Sequence, residues 1–260
     1  MIYERNLFTD LEKQLQIKTN NIVNKANITL LKYITTYSDF LDPYELKIVY
    51  QNLKSFSKQI NIVSYGGYED SERKKIIFYP LWEDIKIDEY IDILSINGNF
   101  ENISHRDALG SIMSLGIRRE KLGDILIYRD KIILITSPEI SDFIIANLQK
   151  IKNSNVKNIE KIATNDFEAP ISKFMIIKTI VGSLRLDSIV AAICNISRAE
   201  AQNLVKKGLV NVNWEISVKV HQLLESEDLI SVKGYGRFRL STIGSKTKNG
   251  RIHIDVKKYL

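Results

Sequence analysis

Leu7, Leu11, Leu15 and Lys18 recur at a helical period, and Asp42-Pro43 opens a second helix, since Asp caps and Pro suits a first turn. Leu46, Val49, Tyr50 and Leu53 continue it at i, i+3, i+4 and i+7. From Gln59 the texture changes, and 60–65, 75–79 and 91–96 read as strands bounded by Gly66-Gly67, Pro80 and Asn97-Gly98. Ser104 and Asp107 have the spacing of a reciprocal cap, Ala108, Leu109, Ile112 and Leu115 line one helix face, and Gly116 ends it. Strands at 125–128 and 131–136 follow, joined through Arg129-Asp130, and Pro138 starts a helix through Phe143, Ile144 and Leu148. The order suggests a helical region at 1–58, a central α+β domain at 59–151 and a polar linker at 152–170 that closes on Ala169-Pro170.

The last segment, 171–260, has its own logic. Leu184, Leu186, Ile189, Val190 and Ile193 form an apolar stripe on a short helix. Ser197 and Glu200 spell a capping box for a second, whose Ala201, Leu204 and Val205 share an arc of about 100°. Gly208 stands where a left-handed terminator belongs. Strand signals at 209–213, 229–233, 237–243 and 251–256 complete two helices followed by a small sheet. The fold class is α+β.

Composition changes the picture only where it is divided. With 44% hydrophobic and 26% charged residues, the chain resembles an ordinary globular protein. Its apolar runs, such as 132–135 and 189–194, fall far short of a membrane span of ~18–20 residues. Met1-Ile2-Tyr3-Glu4-Arg5-Asn6 lacks the apolar segment of a signal peptide, and a single cysteine fits a reducing compartment, so a soluble cytoplasmic protein is expected. Residues 171–260 carry 15 Lys and Arg against 7 Asp and Glu, a net of +8, whereas 1–170 carry 22 against 24, a net of −2. A basic module on a roughly neutral body points to a polyanion.

Catalytic patterns are missing. His105, His221, His253 and Cys194 lack zinc-ligand spacing, so no metal or cofactor is expected. Gly234-Tyr235-Gly236 reads as a hairpin turn, and neither a Walker loop nor a dinucleotide fingerprint occurs. His105-Arg106-Asp107 matches a kinase triplet by letters alone and reads as a first helical turn. Cys194, after an apolar stripe, reads as a packed thiol, and Glu83-Asp84 and Asp88-Glu89 as solvated charges. The chain is expected not to be an enzyme.

The basic module offers more. Arg198, Gln202 and Lys206 fall on an arc of about 80° beside the apolar one, with Lys207 further round. On the hairpin, Lys233, Arg237 and Arg239 alternate with Val232, Phe238 and Leu240. A cationic helix face beside a cationic sheet face would form one stripe along a phosphate backbone, where the planar arginine fork meets oxygens bidentately.

Arg185-Leu186-Asp187, Ser197-Arg198-x-x-Ala201 and Leu204-Val205-Lys206-Lys207-Gly208-Leu209-Val210-x-Val212-Asn213 together resemble the RNA-binding module of small-subunit ribosomal protein four, the S-four domain. Trp214 and Glu227 stand where that family commonly has glycine, so two turns differ. Ser104-His105-Arg106-Asp107-x-Leu109-Gly110-Ser111, then 115–124, and Lys233-Gly234-Tyr235-Gly236-Arg237-Phe238 are similar to the YlmH family of bacteria over nearly the whole chain. The resemblance implies a central RNA-recognition-like fold and a carboxyl-terminal S-four module. It implies binding to structured ribosomal RNA and to tRNA, and a place in ribosome-associated quality control on large subunits holding peptidyl-tRNA.

By the match, Arg185, Arg198, Lys206, Lys207, Lys233, Arg237 and Arg239 are expected on RNA phosphates. Contact with about six of them would give a log–log salt slope of roughly −4 to −5. Asp187 anchors the helix start or pairs with a neighbouring arginine. Arg118, Arg119 and Lys121 are a second ribosome contact or a solvated loop. Phe78, Tyr79 and Trp82 read as core rather than as a base-stacking platform. No membrane or small-molecule partner is expected. Two other readings remain: an RNA-modifying enzyme of pseudouridine-synthase type, since Arg185-Leu186-Asp187 echoes its catalytic aspartate, and a protein adaptor, which charge reversal at Arg198 and Lys206 would leave intact.

Overall fold

The computed structural model describes residues 2–167 and 174–259, with backbone alone for 2–12 and 165; Leu7, Leu11 and the Ala169-Pro170 boundary therefore lie outside the described side chains or residues. Two compact units divide the chain, Met1–Pro170 and Ile171–Leu260.

In the first unit, helix α1 spans Ile2–Lys32 and α2 spans Pro43–Leu53. The Asp42 cap forms as its spacing predicts, with Glu45 N–H donating to Oδ1 at 2.8 Å and Asp42 N–H to the Glu45 carboxylate at 2.9 Å. Strands β1 (Thr36–Tyr37), β2 (Ile60–Tyr65) and β3 (Lys75–Pro80) pair in the order β1-β3-β2. Ile60, Ile76 and Phe78 bury their side chains against Ile22, Ala26, Val49 and Leu53. The strands assigned to a domain starting at 59 thus complete the core of the helical start. A helix alone cannot bury its stripe, and this sheet supplies the second layer.

Strand β4 (Asp92–Gly98), helix α3 (His105–Met113), β5 (Leu122–Ile127), β6 (Lys131–Thr136), α4 (Pro138–Asn147), β7 (Lys150–Ile151) and β8 (Ser154–Ile162) follow. The antiparallel order β5-β6-β4-β8-β7 is the split βαββαβ arrangement of RNA-recognition folds, with β7 added. Residues 154–162 of the segment expected as a linker are therefore strand. Only two residues of β7 flank β8, so it runs mostly as an edge, and its exposed Asn155, Lys157, Asn158, Glu160 and Lys161 are the polar cover an edge requires.

Alternation divides the central sheet. Leu94, Ile96, Ile132 and Leu134 pack beneath α3 and α4 on Ala108, Ile112 and Ile144. Ile93, Ile133 and Ile135 face the other way and are covered by Phe40, Tyr65 and Tyr68. The face that stacks bases in RNA-recognition domains is here aliphatic and covered at Ile93, Ile133 and Ile135, while Asn97, Lys131, Asn158 and Glu160 on the same face meet solvent. Phe78 is core as expected, but Trp82 is 71% exposed and meets Tyr33 with ring centroids 5.2 Å apart.

Lys75 is fully buried, its Nζ lies 5.0 and 5.2 Å from the ring centroids of Tyr37 and Phe40, and it has no hydrogen-bond partner. Burial lowers its pKa from 10.5 to about 8, against the opposing pull of Glu139 and Asp39. The folded unit therefore binds fewer protons than the unfolded chain between those values, and this cost, complete below about 8, fades as pH rises through the window. Lys75→Met should stabilise the unit by about 1 kcal/mol at neutral pH, after allowance for the lost ring contacts. Urea unfolding should show that advantage shrinking toward pH 10.

In the second unit, β9 (Phe174–Val181), α5 (Leu186–Cys194), α6 (Arg198–Lys206), β10 (Val210–Val212), β11 (Glu215–Ile216), β12 (Leu229–Val232), β13 (Gly236–Lys246) and β14 (Ile252–Tyr259) build an antiparallel sheet ordered β11-β10-β12-β13-β14-β9. Both helices cover one face, where Leu186, Ile189, Val190, Ala201 and Val205 meet Val210, Ile230, Phe238, Leu240 and Val256. Ser197 caps α6 through the Glu200 N–H at 3.1 Å, and Gly208 turns left-handed after it at φ +67°. Strand β9 closes the sheet beside β14 along eight residue pairs.

Candidate nucleic-acid interface

The start of α5 is pinned from behind, with Leu186 N–H donating to Gln222 O at 2.8 Å and Asp187 N–H to Val220 O at 3.2 Å. Asp187, fully buried in the first turn, where a negative charge complements the helix dipole, then gathers three donors. Arg185 donates through Nε and Nη2, both at 3.1 Å. From α6, Arg198 donates through Nε at 2.9 Å and Nη2 at 3.4 Å, and Gln202 through Nε2 at 2.8 Å. Residues 198 and 202 are one turn apart, so one carboxylate locks α6 to α5. Burial pushes the Asp187 carboxyl up, but hydrogen bonds from Arg198, Gln202 and Arg185 outweigh it and hold the group well below the carboxylate range. Both expected roles of Asp187 are realised together. Arg185 Nη2 also meets His221 Nδ1.

The side chain of Arg198 is 52% exposed, so its fork is aimed by Asp187 while meeting solvent. An arginine already held in one rotamer loses less entropy on gripping a phosphate. Lys206 and Lys207 continue along the exposed end of α6. Lys233, exposed in the β12–β13 turn, donates its backbone N–H to Leu209 O at 3.0 Å, which sets it beside the turn after Lys207. Arg185, Arg198, Lys206 and Lys207 thus follow one another on the helical side, whereas Lys233 follows Val232, which is buried under the helices, and so falls on the other side of the alternation.

Arg237 and Arg239 do not join them. They alternate with Phe238 and Leu240, which are buried under the helices, so both point from the opposite sheet face. The expected single stripe is two surfaces. The guanidinium of Arg237 lies 5.8 Å from the Trp214 ring and 5.7 Å from Tyr259, and that of Arg239 lies 5.9 Å from Tyr259 and 3.4 Å from Glu227. Trp214 could have been found as a non-glycine at a turn. Tyr259, Lys257 and Phe174 gave no signal, since nothing in the pattern marked 174–181 as their neighbouring strand.

The second basic cluster is also dispersed. Arg119 is spent inside the first unit, donating through Nη1 to Leu122 O at 2.7 Å and Gly123 O at 3.2 Å, and burial with the adjacent Arg73 lowers its pKa to about 10. Lys121 bridges Asp39 and Glu139, each at 2.7 Å. Arg118 is exposed and pairs with Glu120 at 3.3 Å.

Among the described residues no group of three or more His, Cys, Asp or Glu could hold a metal. Ser104 caps α3, its Oγ accepting from Asp107 N–H while the Asp107 carboxylate accepts from Ser104 N–H, which suits the reading of Asp107 as a first turn. Burial pushes the Cys194 thiol up to about 11. At pH 8 iodoacetamide should alkylate it at least about tenfold more slowly in the folded chain than in denaturant, as mass spectrometry would follow.

Residues 16–81 match the family model described as "YlmH, N-terminal", and residues 86–166 the one described as "Putative RNA-binding domain in YlmH". The two meet where β3 gives way to β4. The chain is 31% identical over 231 residues to the ribosome-associated protein quality control protein P2 of Bacillus subtilis, covering 87% of this chain and 88% of that protein. A solved structure of cell division protein ylmH from Streptococcus pneumoniae is similar in fold, with a TM-score of 0.51 at 19% identity over 59% of this chain and 92% of that one.

Proposed function

The chain belongs to the YlmH family, and we propose that it is a non-enzymatic RNA-binding factor of the cytoplasm that acts on the ribosome. Its second unit serves as an S-four-type module that takes hold of structured RNA, and the first unit positions it. The observation that carries this reading is the carboxylate of Asp187 aiming Arg185 and Arg198 beside Lys206 and Lys207. Long-range attraction captures the polyanion, and the fixed forks then select the phosphate geometry of a folded RNA. The covering of Ile93, Ile133 and Ile135 on the central sheet, where RNA-recognition domains display aromatic rings, supports giving this grip to the second unit.

The site of action is the large subunit that still holds a peptidyl-tRNA, a reading supported by the quality-control role in the Bacillus relative's name. The pseudouridine-synthase reading loses support, because Asp187 is fully buried and engaged by three side chains rather than open to a nucleotide. No helix among the described residues is long and apolar enough to cross a membrane.

Sucrose-gradient sedimentation of the purified chain with small subunits, empty large subunits and large subunits carrying peptidyl-tRNA tests the proposal. Preferential sedimentation with the last, with nucleosides unaltered by mass spectrometry afterwards, is expected. Sedimentation with none of them, or a modified nucleoside, would overturn it.

A further inference from the structure

The uncovered face of the second unit's sheet has a composition unlike that of a solvated surface. Register places Tyr259 opposite Phe174, Lys257 opposite Ile176 and Asp255 opposite Lys178, all pointing away from the helices. Lys257 also lies opposite Arg239 on the other side. Phe174 is 43% exposed and Ile176 53%. Cations sit over rings across the whole width: Arg237 by Trp214 and Tyr259, Arg239 by Tyr259, and Lys257 4.9 Å from the Phe174 ring. Four cations, Arg237, Arg239, Lys257 and Lys178, face two acids, Glu227 and Asp255.

Two backbone positions reinforce the arrangement. Trp214 at φ 72° and Glu227 at φ 71° are non-glycine residues in the left-handed region, which side chains rarely adopt. Trp214 puts its ring against Arg237 and Glu227 its carboxylate against Arg239. The two departures from the S-four glycine pattern thus both serve the arginines of this face.

We infer that this face is a second RNA site, distinct from the helical side, which binds unpaired nucleotides by stacking their bases on Trp214, Tyr259, Phe174 and the two guanidinium planes. Bases inside a duplex are already stacked and offer no open face, whereas unpaired bases lie flat on a sheet and leave phosphates within reach of Lys257 and Lys178. A folded RNA on the helices and a single strand on the sheet could then be held at once. This rests on the reading that the chain binds RNA, and the test separates the two.

The chain has two tryptophans, so Trp82→Phe leaves Trp214 as the only one. A short oligoadenylate and a small RNA hairpin are each titrated against this chain, with Trp214 emission and fluorescence anisotropy of the labelled RNA as readouts. Oligoadenylate should quench Trp214, and Arg237→Ala/Tyr259→Ala should weaken it about tenfold or more while sparing the hairpin. Tyr259→Phe, which keeps the ring, should bind as the parent does. Lys206→Glu/Lys207→Glu should do the reverse, weakening the hairpin most. Hairpin binding with Trp214 unmoved by oligoadenylate would overturn the second site and leave the proposed function standing. Equal loss of both RNAs in both variants would reduce the two surfaces to one. Failure to bind either RNA would remove both proposals.

Discussion

Asp187→Ala should lower the stability of the second unit by about 3 kcal/mol, the largest loss expected of a single substitution on its helical side. The alanine removes a fully buried carboxylate that accepts from Arg185, Arg198 and Gln202, and with it the tie between α5 and α6. Removing one partner of a buried charged network costs about 3–5 kcal/mol. The lower end applies because Arg185 and Arg198 are 30% and 52% exposed, and water can take over their solvation. The pH dependence has a definite sign. The folded carboxyl titrates far below its ordinary 3.8, so its contribution is complete above about pH 5 and falls as acid passes 3.8. Urea unfolding at pH 6 and pH 3 should show the gap between wild type and Asp187→Ala narrowing in acid. RNA affinity should also fall in the variant at neutral pH, since both forks lose the group that aims them.

Lys206→Glu/Lys207→Glu should weaken binding to a structured RNA by at least about thirtyfold at moderate salt, without unfolding the unit. Both side chains are exposed, and their reversal leaves the Asp187 network intact, which reversal of Arg198 would not. Four cations on the helical side imply a log–log salt slope of roughly −3 for the wild type. Loss of two contacts should flatten it to roughly −1.5. Anisotropy of a labelled hairpin across a salt series gives both numbers. A variant with unchanged slope would move the phosphate contacts elsewhere.

Much of this was legible in the sequence because the signals were local. Asp42, Ser104 and Ser197 cap their helices as spacing predicts, and Gly208 takes its left-handed turn. The same period that marked Ala201 and Val205 as core placed Arg198, Gln202 and Lys206 side by side. What failed was tertiary. Strand β8 read as a linker because an edge strand is polar for reasons that only its neighbours reveal. Strands β2 and β3 were assigned to the wrong layer because periodicity gives an element's type and not its packing partner. Arg119 and Lys121 looked like a basic surface, yet backbone carbonyls, Asp39 and Glu139, some of them distant in the chain, consume them. Arg237 and Arg239 were correctly set apart from Phe238, but which face the helices cover was not written in the hairpin itself.

The most direct measurement of the central claim is co-sedimentation with large ribosomal subunits over a salt series, with wild type beside Lys206→Glu/Lys207→Glu. Wild type should travel with the subunit at low salt and leave it steeply as salt rises, while the variant stays at the top of the gradient throughout. If both travel with the subunit and leave it at the same salt, the helical side of the second unit is not what holds this protein to RNA.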